Sequence, residues 1–368
     1  MKRLPVDRPL LISIIVLVIA GLFIFSSAAL GLLARDGSIY SSVTLSRALF
    51  GLILGTILAF FTSRVPYKNW RKWSPLIFLF SLIATALVFV PGLGVEFGGA
   101  KRWIDLGPLT FQTSELLKIG FIIYLAAWIS SVKEKTATWR HGLLPFLVMA
   151  GLSGILLLSQ PDLDTFLIIF ATGLAILLVG GGSWKQIGTL VLIAVIGFVL
   201  VAYFRPYVRE RVYTFLNPTR DSLGAGYQIQ QSFIAIGSGQ IFGRGFGQSV
   251  QKFNFLPEPI GDSIFAVSAE EFGFVGSVLL ILLYLFFAFR GLKIAVRAPD
   301  AFGGLLALGI VIMILSQSFL NMGAMLGILP LLGVPLLFVS HGGSALLVTF
   351  AEVGILLNIS RSMRQKTE

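Results

Sequence analysis

The run Pro9–Leu33, PLLISIIVLVIAGLFIFSSAALGLL, decides the class of this chain. It holds no charged residue and exceeds the roughly 20 residues that a helix needs to cross a bilayer. Met1, Lys2 and Arg3 before it imitate a secretory signal, and Ser26-Ser27-Ala28 imitates its cleavage site. A signal h-region, however, is only about 7 to 15 residues long. The run therefore reads as a retained first span.

Composition extends that reading to the rest of the 368 residues. Hydrophobic residues make up 56% and charged residues 12%, with a mean hydropathy of +0.91. A soluble domain carries about 25% charged residues, so the usual polar cover is missing. The expectation is an all-α polytopic membrane protein, one domain over 1–368, with about ten transmembrane helices. Spans are placed near 9–31, 45–63, 74–91, 114–130, 142–159, 165–182, 187–205, 263–289, 301–325 and 343–360. The 326–342 segment is apolar but broken by Gly327, Pro330, Gly333 and Pro335, which suits a re-entrant or surface loop packed on protein. The chain has no cysteine, which excludes disulfides and thiolate metal sites.

Lys and Arg set the orientation. With the N-terminus in the cytoplasm, Lys2, Arg3 and Arg8 lie inside. The even-numbered loops add Arg64, Lys68, Arg71, Lys72, Lys133, Lys135, Arg140, Lys185, Arg290, Lys293 and Arg297, and the tail adds Arg361, Arg364 and Lys366. Among the acids only Asp7, Glu134, Asp300 and Glu368 fall on that side. The positive-inside rule therefore puts both termini in the cytoplasm. The net charge of +11 needs no nucleic-acid partner.

Two outer segments stand apart. One is PGLGVEFGGAKRWIDLGPLTFQTSE, residues 91–115. The other, 205–261, is a large extracytoplasmic loop between spans 7 and 8 that carries Arg205, Arg209, Arg211, Arg220, Arg244 and Lys252. Long loops escape the orientation rule, so these cations read either as ordinary loop charges, as contacts to membrane lipids, or as a mouth for an anionic ligand. Arg and Lys are the usual partners of phosphate oxygens.

Within FNFLPEPIGDSIFAVSAEEFGFVG, residues 253–276, Asp262 stands where a polar segment turns into an apolar run. That is an N-cap position for span 8, an ordinary place for a carboxylate. Ionised there it is a weak base, and desolvation by bound lipid would raise its basicity towards that of a general base. Glu270 and Glu271 follow inside the span, where charge is costly. About 100° separates them on a helix, which predicts different partner faces and pairing of at least one with a neighbouring span.

Glu115 and Lys118, at i and i+3, suit a helical ion pair. Lys101-Arg102-Trp103 reads either as an interfacial anchor or as a diphosphate clamp. Gln160-Pro161-Asp162-Leu163-Asp164-Thr165 reads as a tight turn. Ser340-His341-Gly342-Gly343-Ser344 opens span 10, where His341 could titrate near neutrality. Gly243-Arg244-Gly245-Phe246-Gly247 lacks the Lys-Ser/Thr and the strand–helix setting of a nucleotide loop. No dense set of metal ligands occurs.

Taken in order along ten spans, these motifs resemble the SEDS family of cell-wall proteins, which includes FtsW, RodA and SpoVE. The resemblance covers nearly the whole chain. It rests on Gly99-Ala100-Lys101-Arg102-Trp103-Ile104, on Phe111-Gln112-Thr113-Ser114-Glu115-Leu116-Leu117-Lys118 and on Gln160-Pro161-Asp162-Leu163. It continues through Gly226-Tyr227-Gln228, Gln231-Ser232, Ala235-Ile236-Gly237-Ser238-Gly239 and Phe255-Leu256-Pro257-Glu258. Asp262, Phe265-Ala266-Val267, Glu270-Glu271 and Ser340–Ser344 complete it. Tyr227-Gln228-Ile229 and Leu256-Pro257-Glu258-Pro259 lean towards the division branch over the elongation branch.

The resemblance implies polymerisation of lipid II into peptidoglycan outside the bacterial cytoplasmic membrane. Asp262 would be the catalytic base, and undecaprenyl diphosphate the leaving group. Substrate, lipid II and the undecaprenyl-diphosphate-linked glycan, would be met by Lys101, Arg102, Gln112, Ser114, Glu115, Lys118, Gln160, Asp162, Arg205, Arg211, Gln231, Ser232, Arg244, Glu258, Ser340 and His341. Glu115 and Lys118 match the family's pair beside the cavity, a supporting role. The resemblance implies no definite cofactor, although a divalent cation, Mg or Mn, could share the diphosphate's charge. A class B penicillin-binding protein would be the partner that crosslinks the strand. Four departures stand out: Thr113 for a usual Pro, Asp164 for a usual Gly, Gly261-Asp262-Ser263 for Thr-Asp-Phe, and His341 for a usual Tyr. Two other readings stay open. A lipid II flippase fits ten spans with intramembrane Glu residues, although alternating access wants a site near the midplane. A non-catalytic scaffold predicts that Asp262 is dispensable.

Overall fold

The computed structural model describes residues 6–34, 37–97, 99–105, 107, 110–219, 224 and 226–363. Met1, Lys2, Arg3, Arg220, Arg364, Lys366 and Glu368, read above for orientation or charge, lie outside the described residues.

The chain begins with α1 (Arg8–Leu33), then α2 (Gly37–Ser46), which runs through a π-helical stretch, Arg47–Leu54, into α3 (Gly55–Arg64) and is followed by α4 (Tyr67–Ala86). Next come β1 (Gly94–Phe97), β2 (Ala100–Asp105) and β3 (Thr110–Gln112), then α5 (Thr113–Val132), α6 (Leu144–Ser159), α7 (Leu163–Val179) and α8 (Trp184–Phe204). Two short helices, α9 (Pro206–Leu216) and α10 (Tyr227–Ser238), lie in the long loop before α11 (Ile264–Arg297), α12 (Ala301–Met325) and α13 (Gly343–Ser360). Among the described residues nine helices are long and apolar enough to span a membrane, and α7 is a shorter apolar helix where the sequence placed a tenth span. The protein is a multi-pass helical membrane protein.

Three findings refine the sequence reading. First, the outer segment before α5, to which the sequence reading assigned no secondary structure, is ordered. It is a three-stranded antiparallel sheet in the order β1-β2-β3, with Val95 opposite Trp103 and Trp103 opposite Gln112. Gly99 and Gly107 take φ of +78° and +85° at its turns, conformations that glycine adopts without steric cost. Second, α4 starts at Tyr67 and α11 runs to Arg297, so Lys68, Arg71, Lys72, Arg290, Lys293 and Arg297 lie on helices rather than in loops. Lys and Arg are good helix formers, and a helix need not stop where its apolar stretch does. Third, Asp262 is not the N-cap of α11; Ser263 is.

α12 packs against α5, α7 and α11, and α13 packs against α3. By contrast α8 turns most of its apolar side chains outward, as a helix facing lipid does. The 326–342 segment forms no regular element, yet Leu336, Leu337, Phe338 and Val339 are buried. Such backbone is tolerated only when its polar groups find partners inside the protein. Arg47 donates to the carbonyls of Phe338 and Val339, Tyr284 to Leu337, and Asn321 to Val334.

α11 is itself broken at Gly273, where φ is +65° and ψ −162°. The loop around Gly243 enters the break. Arg244 and Gly245 N–H groups donate to the carbonyls of Glu270 and Glu271, while Phe274 and Val275 donate to Gln240 and Ile241. A Cβ at Gly243 would lie 2.1 Å from the Glu271 carbonyl oxygen, so the glycines of this loop serve close backbone packing.

Candidate active site

Asp262 sits in the turn that leads into α11. Ser263 closes the turn by donating its N–H to the Glu258 carbonyl, 3.1 Å, and receives Gln228 Nε2 on its hydroxyl at 2.9 Å. Ser263 holds the N-cap position of α11 without a capping side-chain hydrogen bond, and Asp262 stands one residue outside it. Asn321 Nδ2 donates to the Asp262 carbonyl and to that of Val334, each at 2.8 Å. Ser340 Oγ donates to the Gly261 carbonyl at 2.7 Å, and the His341 N–H donates to the Ile260 carbonyl at 2.8 Å. The backbone on both sides of Asp262 is pinned, while no described residue donates a hydrogen bond to its carboxylate.

That carboxylate is partly buried among charged neighbours. Burial, then Glu258 and Asp164, push its pKa up to about 7, against the opposing pull of Arg211 and Arg102. A carboxylate surrounded by protein and other anions favours its neutral form. A pKa matched to ambient pH is what a general base needs.

The arginines arrive from separate elements. Arg211, on α9, places Nη1 at 2.8 Å from both oxygens of Asp164 at the start of α7. Arg102, on β2, bonds the carbonyls of Gln160 and Pro161 and lies 3.9 Å from Asp162 Oδ1. Asp162 caps α7 through the Thr165 N–H. Tyr207, one turn before Arg211, has its phenol pKa raised by burial and by Asp164.

Lys101 does not join this group. Successive strand residues face opposite sides, so Lys101 is exposed, 4.0 Å from Glu96, while Arg102 folds inward. The two cations cannot act as one clamp. Arg244 also lies elsewhere, exposed and 3.7 Å from Glu270. Lys252 is wholly buried against Glu271 at 2.7 Å, not at an open mouth. Arg205 is exposed at the junction of α8 and α9.

Glu270 and Glu271 depart from their expected separation. Glu270 accepts from Ser249 Oγ and from the Val250 and Gln251 N–H groups; Glu271 accepts from the Ser249 N–H, Lys252 Nζ and Ser27 Oγ. Both hold the 249–252 loop, because a loop wraps a helix where a facing helix could not. The link to Ser27 on α1 is the expected pairing with another span.

Glu115 and Lys118 form their ion pair at 2.8 Å, fully buried, and Lys118 also donates to Gln317 on α12. Glu352 on α13 is buried close by, within electrostatic reach of both. Ser114 is buried, Gln112 is the N-cap of α5, and Gln160 Nε2 donates to the Thr85 carbonyl at 2.7 Å. Ser232 bonds the Gln228 carbonyl and Met325 Sδ, packing α10 onto α12; Gln231 is half-buried and Glu258 exposed. His341 does not titrate near neutrality. Burial and Arg47 hold its pKa down to about 4, and its ring stacks on Phe25 at 6.1 Å.

Sequence reasoning missed Asn321, Gln317 and Glu352 as partners. Their signal was present, since polar side chains inside an apolar span are costly and mark function or pairing. Among the described residues no three His, Asp or Glu converge to hold a metal ion.

A family model described as Cell cycle protein, FtsW/RodA/SpoVE, matches residues 8–365. "Stage V sporulation protein E" of Bacillus subtilis is 39% identical over 84% of this chain and 85% of that protein. A "Probable peptidoglycan glycosyltransferase FtsW" of Geobacter sp. strain M18 is 35% identical over 97% of both. Among solved structures, a chain described under "Structural coordination of polymerization and crosslinking by a peptidoglycan synthase complex" superposes with a TM-score of 0.79 at 29% identity, covering 97% of this chain and 98% of that one. The rod shape determining protein RodA of Thermus thermophilus gives 0.71 at 26% identity over 98% of both chains.

Proposed function

The chain belongs to the FtsW/RodA/SpoVE family and is a peptidoglycan glycosyltransferase, and we propose that Asp262 is the general base with which it polymerises lipid II. The acceptor's GlcNAc 4-hydroxyl gives its proton to Asp262 as its oxygen attacks C1 of the donor strand's terminal MurNAc. The bond from C1 to the diphosphate oxygen breaks, its electron pair leaves with undecaprenyl diphosphate, and the configuration at C1 inverts. The observation that carries this reading is the Asp262 carboxylate: uncommitted to capping, pinned on both sides by backbone hydrogen bonds, and balanced near pH 7. Arg102 and Arg211 contribute positive charge where the diphosphate departs. A Mg or Mn ion at the diphosphate would share its negative charge with Arg102 and Arg211.

The distribution of Lys and Arg supports cytoplasmic termini and an active site at the outer face of the bacterial cytoplasmic membrane. Likeness to a chain of a peptidoglycan synthase complex supports a class B penicillin-binding protein as partner. The Tyr227–Ile229 and Leu256–Pro259 motifs favour a role in division.

The test is lipid II polymerisation by the purified chain with its cognate penicillin-binding protein, wild type against Asp262→Asn. Loss of glycan strands from a folded, partner-bound variant, by about 10²–10⁴-fold, is the expected result. Equal product from both would remove Asp262 as the base.

A further inference from the structure

The carboxylates of Asp164 and Asp262 come from different elements yet flank one small gap. A Cβ at Gly333 would lie 3.7 Å from an oxygen of each and 3.8 Å from Arg211 Nη2. The two carboxylates are thus at most twice 3.7 Å apart, with one guanidinium beside both. Their surroundings differ. Asp164 is buried and accepts Arg211 Nη1 on both oxygens and the Gly333 N–H at 3.0 Å. The Asp262 carboxylate, by contrast, receives no hydrogen bond from a described side chain or N–H, although its backbone carbonyl accepts from Asn321.

We propose that Asp164 is a positioning residue for Asp262, anchoring Arg211 beside it and setting, through its own charge, how strongly Asp262 binds a proton. The physics is that of two acids sharing one cation. Three hydrogen bonds, two from Arg211 Nη1 and one from the Gly333 N–H, compensate a negative charge on Asp164. Its fixed negative charge then disfavours a second one across the Gly333 gap, so the proton goes to Asp262. Environments that push two carboxylates apart in this way separate their roles. Gly333 matters because its missing side chain leaves the space between the carboxylates open.

The groups facing Asp262 are Glu258 from its own turn, Asp164 from α7, Arg211 from α9 and Arg102 from β2. Asn321 on α12 is neutral, His341 stays neutral, and Tyr207 lies on the Asp164–Arg211 side. Removing Asp164 takes away an anion and frees Arg211; both changes favour ionised Asp262. Removing Arg211 takes away a cation and does the opposite.

The inference rests on Asp262 as the base, and its test separates the two. Polymerisation rate against pH is compared for wild type, Asp164→Asn, Asp164→Glu and Arg211→Gln, each as the full chain with its partner. Asp164→Asn should move the acidic limb down by about one pH unit, Arg211→Gln should move it up, and Asp164→Glu should leave it in place. Limbs that stay fixed, or that move the same way in both neutralising variants, overturn the proposal. If Asp164→Asn does not fold, an unmoved limb in Arg211→Gln overturns it equally. The infrared carboxyl C=O stretch that disappears in Asp262→Asn, titrated in the chain without substrate, reports the same shifts. Those shifts with an active Asp262→Asn would retain the charge coupling and discard the base.

Discussion

The Lys252 ammonium lies 2.7 Å from Glu271 Oε1, with neither side chain reaching solvent. The same ammonium donates to Ser27 Oγ on α1 and to the Gly247 carbonyl. One ion pair thus ties the long loop to α11 beside its break and to the first span. Removing one partner of such a pair strands the other charge, at a cost of about 3–5 kcal/mol, whereas replacing both by apolar groups costs far less. Lys252→Met and Glu271→Gln should each lower the thermal unfolding temperature of the purified chain markedly. The double variant Lys252→Met/Glu271→Leu should recover most of that loss. A double variant as unstable as the worse single one would mean that the pair does not compensate its own burial.

Asp262 must be ionised to take a proton. With its pKa near 7, kcat/KM should fall about tenfold per pH unit below that value and level off above it. The limb should persist with lipid II variants that differ only in the stem peptide. A limb near pH 4 would describe an unperturbed carboxylate and contradict the geometry.

The same group makes a stability prediction of definite sign. Unfolded, its carboxyl ionises near the ordinary value of about 3.9; folded, it does so near 7. The folded state therefore binds the proton more tightly, and stability from this group is lost as pH rises from about 4 through 7. Asp262→Asn should melt higher than wild type at pH 8 and no higher at pH 4. Melting curves at the two pH values, taken in one detergent, decide it.

Lys101 and Arg102 are neighbours with different tasks. Lys101→Ala removes an exposed cation held only by Glu96 at 4.0 Å and should keep polymerisation within about threefold, as surface pairs contribute little. Arg102→Ala strips the Gln160 and Pro161 carbonyls of their donor and Asp162 of its nearby charge. Unsatisfied buried groups cost about 1–3 kcal/mol each, so activity should fall at least tenfold. Equal losses in the two variants would restore the clamp that adjacency in sequence suggests.

Asn321→Ala tests the support of the reacting carboxylate. It frees the Asp262 and Val334 carbonyls together. A fall in kcat of about 10-fold or more, with KM little changed, is expected from displaced geometry. Asn321→Asp, which cannot donate when ionised, should not rescue it.

Local chemistry in the sequence was enough for the class of protein, nine of the ten expected spans and the Glu115–Lys118 pair. Uninterrupted apolar runs can be satisfied only in lipid, and i,i+3 spacing fixes a contact within a helix. Motif order was enough for the family, and Asp262 stood out as a charge at an apolar border. What tertiary structure decided was every relationship between distant segments. Strand pleating sends Lys101 out and Arg102 in, which no helical or loop reading of that stretch could give. α11 starts at Ile264 with Ser263 at its N-cap position, which leaves Asp262 outside the cap. Asp164, visible in sequence only as an added charge, meets Asp262 because α7, α9 and the irregular 326–342 loop converge at Gly333. Burial and charge proximity are properties of that convergence, and they, rather than residue type, move the Asp262 carboxyl towards neutral pH.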